Sequence, residues 1–318
     1  MRRPLFPILL VLLAFACGLI AGAVIQKYDR FAPLLRMAGR HHQPTSEPSR
    51  HMRQKPVEVR EAIPDVLQGT LSLFILAGQS NMAGYGDLPA EQVLHPKVFV
   101  FGNNYRWQIA REPLDDPQGQ VDPISIDQEA GFGPGLAFAM SFLEHDPDRV
   151  IGLIPCAKGA SSIEQWQRHL SENTLYGACL KRVRAATPMG KLAGLLVFQG
   201  EQDAVAPDQS HHTRPSPFDY QTKFSKFVKD LRTDLSFSRL PVIFAQLGTH
   251  KSPRVFVNWS VVKAQQAMID LPCTSMITTD DLPLRDGVHF TTRSYQIIGN
   301  RFANAMSQLI KRDRNCQS

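Results

Sequence analysis

Short apolar runs alternate with longer amphipathic stretches along most of the chain. Leu71–Ala77 (LSLFILA) is an apolar run closed by Gly78, the pattern of a buried strand. Similar runs recur at Lys97–Phe101, Val150–Ile154, Leu192–Phe198 and Leu240–Leu247. Between and after them the spacing predicts helices over Gly135–Leu143, Leu175–Ala186, Phe218–Leu235, Val257–Ile269 and Thr292–Ile310. In the last of these, Ile298, Phe302, Ala305, Met306 and Leu309 recur at steps of three and four and form one apolar face. Strands alternating with helices of this length predict an α/β fold, a three-layer α/β/α sandwich around a mostly parallel sheet.

The N-terminus has a different pattern. Arg2 and Arg3 precede an uncharged run from Pro4 to Ile25, long enough to cross a bilayer as one transmembrane helix. Two basic residues before such a run favour an N-terminus kept in the cytoplasm and a domain exported to the periplasm or exterior. Ala21-Gly22-Ala23 offers a signal-cleavage site, but the run ahead of it is longer than a usual signal core, so an uncleaved anchor is the preferred reading. Cys17 fits a small apolar residue of that helix better than a lipidation site. Residues 26–65, rich in Arg, His, Gln, Pro and Ser, read as a flexible juxtamembrane linker, which leaves 66–318 for one large domain.

Composition adds exclusions. With 43% hydrophobic and 20% charged residues, the chain is neither collagen-like nor wholly disordered. The net charge of +6 suggests a nucleic-acid partner until it is divided along the chain. Residues 1–65 hold ten Lys/Arg against five Asp/Glu, leaving 25 against 24 in residues 66–318. The basic excess therefore belongs to the linker, beside anionic headgroups, and the domain has no basic stripe for nucleic acid. Cys156, Cys179, Cys273 and Cys316 are too few for a disulfide scaffold, though one bridge could form in an oxidising compartment. No C-x-x-C or H-E-x-x-H motif supports a zinc site, and the pairs His41/His42 and His211/His212 read as solvated loop histidines.

In parallel sheets, ligands bind at the carboxyl ends of the strands. Four segments fall there or just before a helix: GQSNMAG (78–84), GFGPG (131–135), QGEQD (199–203) and DGVH (286–289). Ser80 lies in a Gly-flanked turn, but Met82 stands where the second glycine of a G-x-S-x-G elbow would be, so a nucleophile here needs a base from elsewhere. Asp286 and His289 are a candidate source. Three-residue spacing in a turn lets a carboxylate reach Nδ1 of an imidazole while Nε2 faces outward, as a serine's general base requires. On the pair alone, a turn acid beside a helix-start histidine is the simpler account.

Taken together, ILAGQSNMAG, GFGPG, IGLIPCAKGASSIEQW, VFQGEQDA and DGVHFT resemble the successive blocks of the SGNH-hydrolase superfamily, and within it the sialate O-acetylesterase-like, carbohydrate esterase family 6-like branch. The resemblance spans roughly residues 70–310 and keeps the family's order. It implies Ser80 as nucleophile, His289 as general base and acid, and Asp286 as the residue orienting His289. It further implies an oxyanion hole from the Ser80 N–H, a glycine N–H of GFGPG and a side-chain amide of QGEQD. Gly133 is chosen over Gly131, and Gln199 over Gln202, which stands where the wider superfamily has Asn. Glu201 reads equally as a loop-fixing residue or a solvated acid, and Trp166 as a core aromatic rather than a cleft residue.

The implied activity is removal of acetyl from an O-acetylated carbohydrate through an acyl-serine, with neither metal nor organic cofactor. Two other readings use the same features. One is a carbohydrate O-acetyltransferase working through the same acyl-serine; the other is a non-catalytic, membrane-tethered carbohydrate-binding module. The first would want a multi-pass acyl-donor channel, and the second has no use for a nucleophile with a paired base.

Overall fold

The structure is a computed structural model that describes residues 63, 65–206 and 217–317. Among them are seven strands: β1 (Leu71–Gly78), β2 (Val98–Phe101), β3 (Trp107–Ile109), β4 (Ile151–Pro155), β5 (Gly190–Phe198), β6 (Val242–Ala245) and β7 (Thr274–Ile277). They form one sheet in the order β3-β2-β4-β1-β5-β6-β7, parallel except for β3, which pairs antiparallel with β2. β1 is central, flanked by β4 and β5, so the crossover from β4 to β5 passes over it.

Five strands coincide with the apolar runs, trimmed at their ends; β6 begins only after Pro241, which has no N–H for the ladder. The sequence reading omits β3 and β7. Both are edge strands with part-exposed positions, WQI and TSMI, and so carry little of the continuous apolar signal that marks a buried strand.

Helices cover both faces: α1 (Ser80–Ala83), α2 (Pro134–His145), α3 (Leu175–Ala186), α4 (Tyr220–Asp234), α5 (Trp259–Ala267) and α6 (Thr292–Arg312). Leu73 and Ile75 of β1 join a core with Tyr176 of α3, Phe224 of α4 and Val262 of α5. Phe74 and Leu76 face the other way, into a core with Phe138 of α2 and Phe302 of α6. This two-residue alternation makes the middle layer of the sandwich. Ile298, Phe302, Met306 and Leu309 of α6 are buried as the spacing predicts, and Ala305 packs beside them half-buried. Thr291 caps α6 by accepting from the Ser294 N–H, which holds the helix start where the DGVH segment ends.

The 24 residues 110–133 between β3 and α2 contain no regular strand and no α-helix. They are held by Arg182, 1% exposed, whose guanidinium donates to Asn103 Oδ1 (2.6 Å), Ser125 Oγ (3.3 Å), Asp122 and the Pro155 carbonyl. Burial works against the Asp122 charge, but Arg182 and the two hydrogen bonds from Ser125 together outweigh it and keep the carboxyl below its usual range. The four domain cysteines form two bridges rather than one: Cys156–Cys179 ties the end of β4 to α3, and Cys273–Cys316 ties β7 to the chain end. Residues 59–318 make one compact unit. Among the described residues no helix is long and apolar enough to cross a membrane; the predicted anchor Pro4–Ile25, Cys17, the four loop histidines and all of the linker but Ile63 and Asp65 lie outside them, and Ile63 is buried against the domain core.

Candidate active site

β1 ends at Gly78, with φ 139°, where a Cβ would stand 2.1 Å from the Phe198 carbonyl oxygen; only glycine allows this approach of β1 to β5. The Gln79 N–H then donates to Phe198 O at 2.9 Å, and Ser80–Ala83 closes a single helical turn. Gly84, φ 90°, ends that turn against Gly133, whose Cα a Cβ on Gly84 would meet at 2.3 Å. Met82 is buried in the α2/α6-side core. The turn thus leaves Ser80 at the carboxyl end of the central strand.

The segment before α6 brings its side chains to this point. Ser80 Oγ lies 2.9 Å from His289 Nε2, and His289 Nδ1 lies 2.8 Å from Asp286 Oδ2. A carboxylate accepts only from a protonated Nδ1, which leaves Nε2 to accept from the Ser80 hydroxyl. Asp286 Oδ1 also accepts from the backbone N–H groups of Val288 (2.8 Å) and His289 (2.7 Å). Partial burial disfavours the Asp286 charge, but these N–H groups and the imidazole outweigh it and hold the carboxyl below its usual range. The arrangement can move a proton from Ser80 to His289 while a fixed negative charge faces the far side of the ring.

Asn81 joins three segments. Its Nδ2 donates to Glu201 Oε1 at 2.6 Å and to the Val288 carbonyl at 3.3 Å, while its Oδ1 accepts from Tyr295 OH at 2.6 Å. The nucleophile turn, the QGEQD loop and the histidine segment are therefore locked by one side chain that is 1% exposed. Glu201 is a buried loop-fixing residue, not a solvated acid, and its burial pushes its carboxyl above the usual range.

Two of the expected oxyanion donors are not brought to the cleft. Both amide hydrogens of Gln199 are engaged inside the protein, with the Ser161 carbonyl (3.0 Å) and Asp203 Oδ2 (2.6 Å), while its Oε1 accepts from Tyr220 OH (2.8 Å). Gln199 ends a buried strand, so the neighbours of β5 capture its side chain before it can reach the site. Gly133 packs beneath Met82–Gly84 and is not among the residues that line the cleft. Its competitor Gly131 donates to the Gly84 carbonyl. The GFGPG segment buttresses the nucleophile turn from behind, reinforced by the Gly86–Phe132 bridge. Gln202, by contrast, is half-buried and lines the cleft, and the Ser80 N–H in the first turn of α1 has no protein acceptor among the described residues.

The cleft encloses about 500 Å³. Beyond Ser80, His289 and Gln202, its walls include Tyr85, Asp127, Lys158 and Phe256, none of which the sequence reading singles out. Tyr85 and Asn81 sit within or next to the GQSNMAG motif, so adjacency to Ser80 is the signal that could have found them. Asp127 is delivered by the Arg182-anchored segment and accepts from Tyr85 OH (2.8 Å) and the Gly159 N–H (2.7 Å), a relation that no local pattern carries. Trp166 is a core residue, 2% exposed, with its indole N–H on Ser161 Oγ.

Residues 70–308 match the family model described as carbohydrate esterase, sialic acid-specific acetylesterase. The probable carbohydrate esterase At4g34215 of Arabidopsis thaliana is 31% identical over 255 residues, covering 73% of this chain and 89% of that protein. Its crystal structure superposes with a TM-score of 0.62 at 29% identity, over 74% of this chain and 97% of that one. The fold is also that of NanS (TM-score 0.58, 19% identity, 77% of this chain and 99% of that one). XAC1771, a carbohydrate acetylesterase from Xanthomonas citri, shares it too (0.57, 18%, 76% and 57%). A match over most of the folded domain, with a serine and a histidine meeting at the end of the central strand, makes this chain a member of the sialic acid-specific acetylesterase family of carbohydrate esterases and a carboxylic ester hydrolase of the acetylesterase type.

Proposed function

We propose that the cleft removes O-acetyl groups from an acetylated carbohydrate by two-step acyl transfer through Ser80. The observation that carries this reading is the continuous chain Asp286–His289–Ser80, with links of 2.8 and 2.9 Å. Ser80 Oγ attacks the acetyl carbonyl while His289 Nε2 takes its proton, and Asp286 faces the imidazolium that results. The tetrahedral oxygen receives the Ser80 N–H and the Gln202 amide, from two residues that line the cleft. Collapse expels the sugar oxygen, to which His289 returns the proton. A water molecule then loses a proton to His289, adds to the acetyl-serine and leaves as acetate, restoring Ser80–OH. Ser80→Ala should abolish acetate release from acetylated sugars with melting temperature unchanged; retention of activity within a fewfold of wild type rules out the acyl-serine.

The placement of this domain is also proposed. Residues 1–25 anchor the chain in a membrane, 26–65 form a basic linker beside anionic lipid, and 66–318 act outside the cytoplasm on an envelope or extracellular carbohydrate. The charge-free run from Pro4 to Ile25 supports this reading, as do two disulfides in the domain, which persist in oxidising compartments. The full-length chain should sediment with membranes. Its recovery in the soluble fraction with Met1 intact contradicts the anchor.

A further inference from the structure

The cleft is larger than acetyl transfer requires, and its apolar lining is unequally available. An acetyl group on Ser80 fills a small part of about 500 Å³, so most of the space is for the alcohol half of the ester. Besides the His289 imidazole, two aromatic rings line it. Tyr85 has one face covered by His289, with centroids 4.4 Å apart and planes 28° from parallel. Phe256 is different: its ring contacts are with Trp259 (5.2 Å, 61°) and His250 (5.6 Å, 84°), both steeply inclined, and among the described residues no aromatic ring lies parallel on it.

The Phe256 ring is also held in place. Trp259 beneath it is 8% exposed and donates its indole N–H to the Gly248 carbonyl at 2.8 Å. The Phe256 N–H donates to Ser252 O, while Ala206 N–H to Val255 O and Asn258 N–H to Ala204 O, each at 3.0 Å, pin the segment to the loop that carries Gln202. A half-buried ring fixed on a rigid base, in the wall of a cleft and joined to the loop of an oxyanion donor, is pre-organised for a flat apolar surface. The same cleft is lined by Gln128, Glu129 and Lys158, which offer polar groups to hydroxyls. A pyranose presents this combination, with a face of C–H bonds for the negative face of an aromatic ring and hydroxyls at its edge.

We propose that Phe256 is the platform on which the sugar ring of the substrate stacks, making it a binding residue that selects O-acetylated pyranosides over acetate esters without a ring. This rests on the esterase reading given above. The test compares acetate release by the full-length protein from peracetylated glucose and from ethyl acetate, for wild type, Phe256→Ala, Phe256→Leu and Phe256→Trp, with Ser80→Ala as control. The ratio of kcat/KM for the sugar ester to that for ethyl acetate should fall about tenfold in Phe256→Ala, chiefly through KM, given what one aromatic contact is worth. Phe256→Leu keeps the bulk without the ring and should fall nearly as far, so the proposal stays testable if the alanine variant folds poorly. Phe256→Trp should keep the wild-type ratio. An unchanged ratio in both Phe256→Ala and Phe256→Leu overturns the platform, as does a wild type that cleaves ethyl acetate but no sugar ester. A wild type inactive on both esters, or a Ser80→Ala variant as active as wild type, overturns the esterase reading instead and the platform with it.

Discussion

Tyr85 lies stacked on His289, ring centroids 4.4 Å apart, and its hydroxyl is fixed by Asp127 at 2.8 Å. Burial, reinforced by Asp127, keeps that hydroxyl protonated far above its usual range, so it serves as a permanent donor. The imidazole is thus held from two sides, by Asp286 in its plane and by Tyr85 on its face.

From this follows a graded outcome at position 85. Tyr85→Phe keeps the stacked ring and should stay within a few times of wild type in kcat. Tyr85→Ala releases the imidazole and should lower kcat by about tenfold to a hundredfold, as small misplacements of a catalytic group do. Steady-state kinetics on an acetylated sugar decide it: equal kcat in both variants would mean that Asp286 alone orients His289.

The two glutamines of QGEQD should separate by what they damage. Gln202→Ala removes a cleft amide and should lower kcat by about a hundredfold with little change in KM or melting temperature. Gln199→Ala removes one of two partners of buried Asp203, the other being the Ile163 N–H, and should instead destabilise the fold by about 1–3 kcal/mol. Parallel kinetics and denaturant titrations check both. A larger kcat loss in a well-folded Gln199→Ala would restore the assignment expected from the sequence.

Stability should fall as pH rises from 5 to 8. Burial pushes the Glu112 carboxyl up to about 8, and it likewise raises Asp203 to about 7 and Asp115 to about 6. Over this range the folded protein keeps protons that the unfolded chain has released, so the stability of neutral Glu112 is present in acid and lost as pH passes through its folded value. The carboxyls held low, such as Asp286 and Asp122, act only below about pH 4 and do not mask the trend. Glu112→Gln is neutral at every pH and should show a smaller drop in melting temperature between pH 5 and pH 8, by about 2–4 °C for each kcal/mol removed. Identical drops in wild type and variant would show that Glu112 is ionised in the folded state.

Local pattern alone determines much of this protein. The apolar runs become the five inner strands because a strand covered on both faces must be apolar throughout, and the three-layer class follows from their alternation with helices. The Asp286–His289 contact is legible because both partners lie in one turn, three residues apart. The edge strands β3 and β7 are not legible, since exposure removes the apolar signal. Nor is the competition for hydrogen bonds. Gln199 and Gln202 carry the same side chain three residues apart, and only the arrival of Ser161 and Tyr220 from other segments, beside Asp203 of the same loop, engages one and leaves the other facing the cleft. Gly133 is kept from the cleft by packing across distant segments: it lies against Gly84 and the Met82 and Ala83 carbonyls. A hydrogen-bond donor has one allegiance at a time, and which acceptor it meets is decided by residues distant in sequence that only the folded sheet brings together.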